Sequence, residues 1–508
     1  MAIININSNL IKILSNYLGK IWSLLSVFIF VPVYIKFLGV ENYAIIGFYS
    51  LILALISFAD AGMSSAITRE FSLDKNNLYK LSILKKIEKI YWLVLTFICI
   101  LIFLSSGVIA KKWLTSENII YYDLKNYVIL IGIGTCIQMI SSIYFGALFG
   151  LGKQVKANNF QIIWTTARSV FVVILFIIFK PSLYVFLIWQ IFCNIIYVTL
   201  LRYSVIKDLN IGLTEIKNLT NKIPPEIIKY IGGMTIVAII SAINSQADKL
   251  IISYFYSLKT FGYYTMVSTL SQIPVFITMP MASFIFPLLT KFSENKEYYE
   301  NFEIVFKKFV FLLYLIIIPV SILFCFFPVE IFSLWIKTTF DIGFLSKLPI
   351  LSCTLILGSL FLAMQFPFYY TLLANSQTKY TVYQGIVQVF FGVPILYFFA
   401  KSGDLKYVGL SWFLINFCSF VYLMYICFKY YLRFKAIYFV KKYIITPVLI
   451  SILIGILGHY LYLQTNIKFY FIFIPATISS FFLVLIIDNF FENRSYFSFK
   501  HLYDFPRG

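Results

Sequence analysis

The chain has 508 residues, 61% of them hydrophobic and 12% charged, with a formal charge of +20. A soluble domain carries about 25% charged residues, so no soluble fold of this length could hide so much apolar surface, and lipid must be the solvent for much of it. No long basic arm or soluble domain carries the excess of Lys and Arg, which argues against nucleic acid as a partner and for basic loops on one membrane face.

Apolar runs long enough for a helical span, about 20 residues, lie near 13–38, 42–67, 90–110, 126–150, 160–180 and 183–203. A second set lies near 229–254, 261–290, 307–329, 348–374, 380–400 and 407–430, and two more near 443–463 and 469–488. An open strand edge cannot exist in lipid, so all fourteen are predicted to be α-helices. The first run continues to Leu38 without a small-residue cleavage site and is read as a span, not a signal peptide. Segments 69–89, 202–229, 291–308 and 429–442 are plainly basic, which places them, and both termini, on the cytoplasmic side. Lys111, Lys112 and Lys125 run against this bias in an outer loop.

The largest inside segment contains Pro224-Pro225 and bisects the first twelve spans. The predicted organisation is an N-terminal lobe at 1–205, a cytoplasmic linker at 206–228, a C-terminal lobe at 229–432, and two last spans with a cytoplasmic tail at 433–508. The lobes read as weak repeats. The fourth span ends at Phe145-Gly146-Ala147-Leu148-Phe149-Gly150 and the tenth at Tyr369-Tyr370-Thr371-Leu372-Leu373-Ala374-Asn375. The fold class expected is an all-α polytopic membrane protein with two pseudo-symmetric six-helix lobes plus two C-terminal helices. Repeats of this kind accompany transporters whose substrate site lies between the halves. Pro274, Pro280 and Pro287 punctuate the eighth span, and three prolines there suggest a bent gate.

Ionisable residues far from helix ends are the informative ones, since each costs about 2.5–3.5 kcal/mol at the centre of a span. Lys20 lies in the first span, where it either snorkels to the near interface or lines a cavity. Arg168 lies mid-way along the fifth and is read as cavity-lining. Asp248 and Lys249 follow Asn244-Ser245-Gln246 in the seventh; adjacent residues point about 100° apart, so they are not obvious mutual partners. Asp60, with Arg69 at the inner end of the second span, either closes a gate or caps helix ends. Gln138, Gln161, Gln246, Gln272 and Gln384 complete the candidate cavity set, with Gln190, Asn194, Gln365 and Gln388 as further polar groups. The amides serve equally as glue between helices. Asp60, Arg69 and Asp248 are the candidates for coupling or gating. Cations outnumber acids in the deep set, which favours an anionic substrate. Moving about two negative charges outwards is helped by roughly 4–5 kcal/mol per 100 mV in a cell negative inside, so coupling at Asp248 is not required.

The seven cysteines lie in apolar runs without a CxxC pair and read as small buried hydrophobes. With two histidines and no phosphate-binding glycine motif, no metal, no cofactor and no direct use of ATP are expected.

Tyr34-Ile35-Lys36-Phe37-Leu38-Gly39-Val40-Glu41-Asn42-Tyr43, followed by Asp60-Ala61-Gly62 with Arg69, resembles the first outer loop and second span of polysaccharide repeat-unit flippases of the Wzx type. Gln246-Ala247-Asp248-Lys249-Leu250-Ile251-Ile252, then Phe261-Gly262-Tyr263-Tyr264, is similar to the junction of that family's seventh and eighth spans. Each motif is short; their order and spacing carry the weight. These flippases belong to the multidrug/oligosaccharidyl-lipid/polysaccharide exporter superfamily, which also holds MATE-type extruders and lipid II flippases. The resemblance implies no enzyme, but export of an undecaprenyl-diphosphate-linked oligosaccharide, of O-antigen type, from the inner to the outer leaflet of the bacterial cytoplasmic membrane. A cation-lined central cavity and alternating access come with it. The partners to expect are the lipid-linked glycan, membrane lipid, and a polysaccharide polymerase with its chain-length machinery. The chain has Ala44 where the family commonly has Gly, and a single deep arginine, which makes lipid II a poorer cargo. The competing readings are a MATE-type cation-coupled drug antiporter and a membrane glycan polymerase or ligase; outer loops near 111–125 and 330–347 lack the concentrated acidic, basic or histidine residues of the latter.

Overall fold

A computed structural model describes residues 2–60, 62–116, 118–210, 225–293, 299–336, 340–465 and 467–491, and every regular element among them is helical. Among the described residues ten helices are long and apolar enough to cross a membrane, and a bent pair makes an eleventh. Val40–Ile56 and Tyr470–Ile486 are shorter apolar helices where the second and fourteenth spans are predicted. With Pro225–Phe255 at the seventh, helices follow the fourteen predicted runs in order.

The chain forms two compact units, Met1–Thr265 and Met266–Gly508. Most of the predicted 206–228 linker falls on residues 211–224, outside the described ones. In the first unit, α1 (Ala2–Leu38) turns into α2 (Val40–Ile56) through Gly39, whose φ of 78° favours glycine. The predicted second span is interrupted at Ser57–Asp60 and resumes as α3 (Met63–Ser72). The cause is local. Gly62 is left-handed, and the Asp60 carboxylate accepts the Ser64 backbone N–H at 3.1 Å and its hydroxyl at 2.7 Å, supplying a helix start inside an apolar run.

α4 (Asn77–Val108) begins well before the predicted span at 90, capped by the Asn76 side chain. Its basic leading turns are amphipathic: Leu81, Leu84 and Ile87 are buried while Lys85 and Lys89 are exposed. A hydropathy window registers only the apolar part. α5 (Tyr121–Gly150) follows. Then α6 (Gln154–Thr166) and α7 (Val172–Ile178) make one span through a π-helical segment at Ala167–Phe171. α8 (Leu183–Leu209), α9 (Pro225–Phe255) and α10 (Leu258–Ser271) complete this part of the chain.

Close approach of backbones holds these helices, since lipid gives apolar side chains little reason to prefer each other. A Cβ on Gly146 would lie 2.7 Å from the Ser64 carbonyl, and one on Gly150 would lie 2.6 Å from the Thr68 carbonyl, so α5 can meet α3 only through glycine. Ala44 faces Gly262 of α10, where a Cβ would stand 2.8 Å from the Val40 carbonyl and 3.2 Å from the Ala44 methyl.

In the second unit α11 (Ile273–Ser293) contains Pro280 and Pro287, and its parts Ile273–Ala282 and Ile285–Ser293 meet at 50°. α12 (Tyr299–Phe326), α13 (Pro328–Ile336), α14 (Ile342–Leu345) and α15 (Leu348–Ala374) lead to α16 (Thr378–Val387), a π segment at Gln388–Gly392, and α17 (Val393–Lys401). α18 (Leu405–Tyr430), α19 (Ala436–Phe439), α20 (Thr446–Gln464) and α21 (Tyr470–Phe491) end the described chain. Phe306, Phe420 and Phe439 pack on Phe368, and Phe428 packs on Phe439, with ring centroids 5.2–5.8 Å apart.

The repeat seen at the span ends extends to the backbone. Lys153 N bonds Leu148 O at 2.9 Å around a left-handed Gly152 (φ 71°). Gln377 N bonds Leu372 O at 2.8 Å around a left-handed Ser376 (φ 57°). Both are the same helix-ending motif.

Candidate functional site

A polar network crosses the first unit. The Tyr49 hydroxyl of α2 donates to Gln138 Oε1 of α5 at 2.9 Å. Asn194 Nδ2 of α8 donates to Tyr49 at 3.2 Å and to the Gly134 carbonyl at 3.0 Å. Trp164 Nε1 of α6 donates to Asn194 Oδ1 at 3.1 Å. The Arg168 guanidinium stands 4.6 Å from the centroid of that same Trp164.

Arg168 sits in the π segment, one helical turn beyond Trp164. A π turn shifts the hydrogen-bond register and leaves carbonyls for other donors. Here Trp189 Nε1 of α8 donates to Ala167 O at 3.1 Å, and Gln190 Nε2 donates to Arg168 O at 3.2 Å. Among the described residues the ion pairs are Arg69–Glu70, Lys75–Glu70, Lys156–Asp208, Arg202–Glu88, Lys307–Glu303 and Lys406–Asp404, and none involves Arg168. A partly buried cation is therefore positioned by an aromatic face and not neutralised by a carboxylate. Such a group can receive an anion.

Asp248 of α9 is buried, and one oxygen accepts the Tyr264 hydroxyl at 2.7 Å. Its Oδ1 is buried and has no hydrogen-bond partner among the described residues. Lys249, Gln161, Gln246 and Gln272 are partly buried, and Lys249 joins none of the ion pairs above. Lys20 lies in α1, and its side chain is outside the described residues. Asp60 binds more than its own helix start: Tyr91 donates to it at 3.1 Å and Ser142 at 3.4 Å, tying α3 to α4 and α5. Arg69 is largely exposed and lies 4.0 Å from Glu70.

In the second unit the amides are held by one another, by a backbone carbonyl and by a hydroxyl. Gln384 Nε2 donates to Gln365 Oε1 at 2.7 Å, Gln365 Nε2 to the Asn416 carbonyl at 3.1 Å, and Gln388 Nε2 to Ser419 at 2.7 Å. Gln384 and Gln388 also line a cavity of about 480 Å³. Cys418, expected to be a buried hydrophobe, is exposed on that cavity's wall because α18 presents this face outward.

Three carboxylates outside the predicted set are held firmly. Glu41 is buried and accepts from Ser116 and Asn118, both at 2.8 Å. Glu88 accepts from Tyr144 at 2.6 Å and Arg202 at 2.9 Å. Glu70 accepts from Lys75 at 2.9 Å and Tyr79 at 3.0 Å, and its hydrogen bond raises the Lys75 ammonium above its usual range. All three lie just outside the predicted apolar runs, where a charge in sequence reads as merely solvated.

The family described as Polysaccharide biosynthesis protein matches residues 10–293, more than half of the chain. The chain belongs to this family. A Shigella flexneri protein named for a proposed O-antigen transport role is 21% identical over 382 residues, covering 74% of this chain and 87% of its own. Among solved structures, the lipid II flippase MurJ in an inward closed conformation superposes with a TM-score of 0.72 at 15% identity, over 96% of this chain and all of that one. An inward-facing MATE family multidrug resistance transporter gives 0.61 at 12% identity, over 88% and 96%. A Pyrococcus furiosus transporter of the same superfamily gives 0.57 at 12%, over 81% and 94%. At these identities the structural likeness establishes the fold: this member of the polysaccharide biosynthesis family is a multi-pass α-helical membrane protein built like the flippases and MATE transporters.

Proposed function

We propose that this protein is a flippase, not an enzyme, and that it carries an undecaprenyl-diphosphate-linked oligosaccharide repeat unit from the inner to the outer leaflet of a bacterial cytoplasmic membrane. Both termini lie on the cytoplasmic side. The two six-helix lobes, joined through 206–228, alternate access to a cavity whose cations receive the diphosphate. Membership of a polysaccharide biosynthesis family and the flippase fold support the class. The observation that carries the cargo assignment is Arg168, a partly buried guanidinium fixed on Trp164 without a carboxylate partner. Burying a cation in a span is costly, and an anionic cargo gives it a return.

The test is deletion of the gene followed by complementation. The deletion strain should lose surface polysaccharide and accumulate lipid-linked repeat units. Wild-type protein should restore display and Arg168→Ala should not, at equal protein abundance. Full display with Arg168→Ala and Lys20→Ala would remove the cavity assignment.

A cation-coupled cycle is the second reading, favoured by the unpartnered Asp248 Oδ1. A buried carboxylate oxygen without a donor is stabilised by a proton or a small cation. Transport by wild type should then depend on pH or sodium and lose that dependence in Asp248→Asn. Identical dependence in both forms rejects coupling at this residue and leaves the flippase reading intact.

A further inference from the structure

The π segment at Gln388–Gly392 lies along a groove between α16–α17 and α18, in which Gln384, a candidate cavity residue, is already bonded to Gln365. Its cavity, about 480 Å³, runs from Tyr383 and Tyr422 at one end to Ile395 and Leu414 at the other. Tyr383 to Ile395 is twelve residues, which at 1.5 Å each spans about 18 Å. That is close to the depth of one leaflet, about 15 Å, half of a 30 Å hydrocarbon core. The walls are open to the surroundings: Tyr383 and Phe391 are each 59% exposed. The polar groups on the floor are already engaged, Gln384 with Gln365 and Gln388 with Ser419. Nothing in the groove asks for a polar ligand.

The end at Tyr383 and Tyr422 is different. There Tyr380 at the start of α16 stacks on Tyr430 at the end of α18, with 6.1 Å between centroids. The start of α16 and the end of α18 are thereby pinned at one membrane face. Two ammonium groups stand there. Lys379 is one helical turn before Tyr383 and lies 5.0 Å from the Tyr380 ring. Lys429 is two turns beyond Tyr422 and lies 5.2 Å from the Tyr430 ring. Both lysines are exposed and neither joins an ion pair with a described carboxylate.

We infer that this groove is a binding site for an anionic phospholipid, one acyl chain lying along Phe391 and Cys418 and the phosphate seated between Lys379 and Lys429. Charge complementarity decides the headgroup, since juxtamembrane lysines attract anionic lipid. The single-leaflet length decides the tail: a polyprenyl chain outruns it.

The experiment uses the full chain in nanodiscs of neutral phosphatidylcholine. Trace amounts of photoactivatable phosphatidylglycerol, or of photoactivatable phosphatidylcholine, carry the reactive group on an acyl chain. Adducts are mapped by mass spectrometry to peptides containing 383–395 and 414–422. Phosphatidylglycerol should label them at least about fivefold more than phosphatidylcholine. A Lys379→Gln, Lys429→Gln double variant should lower labelling to the phosphatidylcholine level. Both lysines are exposed, so its thermal unfolding should match wild type. Equal labelling by the two lipids would reduce the groove to a surface wetted by bulk lipid and overturn the proposal. Displacement of the phosphatidylglycerol probe by equimolar undecaprenyl diphosphate would overturn it too, by making the groove a resting place for a polyprenyl tail.

Discussion

In Met1–Thr265 the π segment after α6 carries Arg168 on the face of Trp164, whereas in Met266–Gly508 the π segment after α16 carries Gln388 bonded to Ser419. The surrounding plan is shared. Each span is preceded by a left-handed turn, at Gly152 in one and Ser376 in the other. Each is fastened to the following span by side chains of α8 or α18. The content differs. Glu41, Glu70, Asp248 and the positioned Arg168 are in the first unit, while aromatic rings and hydrogen-bonded amides fill the second. Amides that satisfy each other cost little in lipid, so they act as fasteners. An unneutralised guanidinium is expensive and calls for a purpose.

The sharpest way to break this contrast is to remove the two polar groups separately. Arg168→Ala should reduce export at least about tenfold, the effect of losing one charged hydrogen bond worth about 1.5–3 kcal/mol. Gln388→Ala should change export less than about twofold, both read as surface polysaccharide per unit of protein. If Gln388→Ala is as damaging as Arg168→Ala, the division of labour between the units is wrong. The scaffolds, by contrast, should respond alike. Gly146→Leu and Gly358→Leu each force a side chain into a neighbouring helix, against Ser64 and Thr68 in one and Trp412 and Phe413 in the other. Each should cost about 1–3 kcal/mol, seen as a lower unfolding temperature in detergent.

Smaller effects refine the picture. Asn194→Ala removes the centre of the Tyr49–Trp164 network and Gln365→Ala the centre of the Gln384–Asn416 one. Each should lower stability by about 1 kcal/mol, and only Asn194→Ala should also lower export, because Trp164 seats the guanidinium. At the turns the signs should be opposite. Gly152→Ala should destabilise by about 0.5–1 kcal/mol and Ser376→Gly should stabilise by up to about that amount, since both positions are left-handed.

Much of the fold is written in local composition. Hydropathy locates the helices because a lipid-facing helix must be apolar along a whole membrane thickness. It could not locate the break at Ser57–Asp60, which depends on one carboxylate folding back onto Ser64. Nor could it separate the amphipathic start of α4 from a loop. Arg168 stood out because a charge deep in an apolar run is conspicuous. Its seat did not: Trp164, Asn194 and Tyr49 are brought together from positions up to 145 apart. The π segments were invisible as well, because an i→i+5 turn uses the same residue types as an α turn. Three prolines in the eighth span did announce a bend, found at 50°.

The two bonds from α8 to the carbonyls of Ala167 and Arg168 have a mechanical consequence. Trp189 and Gln190 do not grip side chains, which could be exchanged for other rotamers, but the backbone of the neighbouring helix at the one place where its own ladder is open. Sliding α6–α7 past α8 would strand two carbonyls and an indole N–H in hydrocarbon at once. These helices must therefore travel together as one piece, and any motion that re-aims Arg168 has to hinge elsewhere.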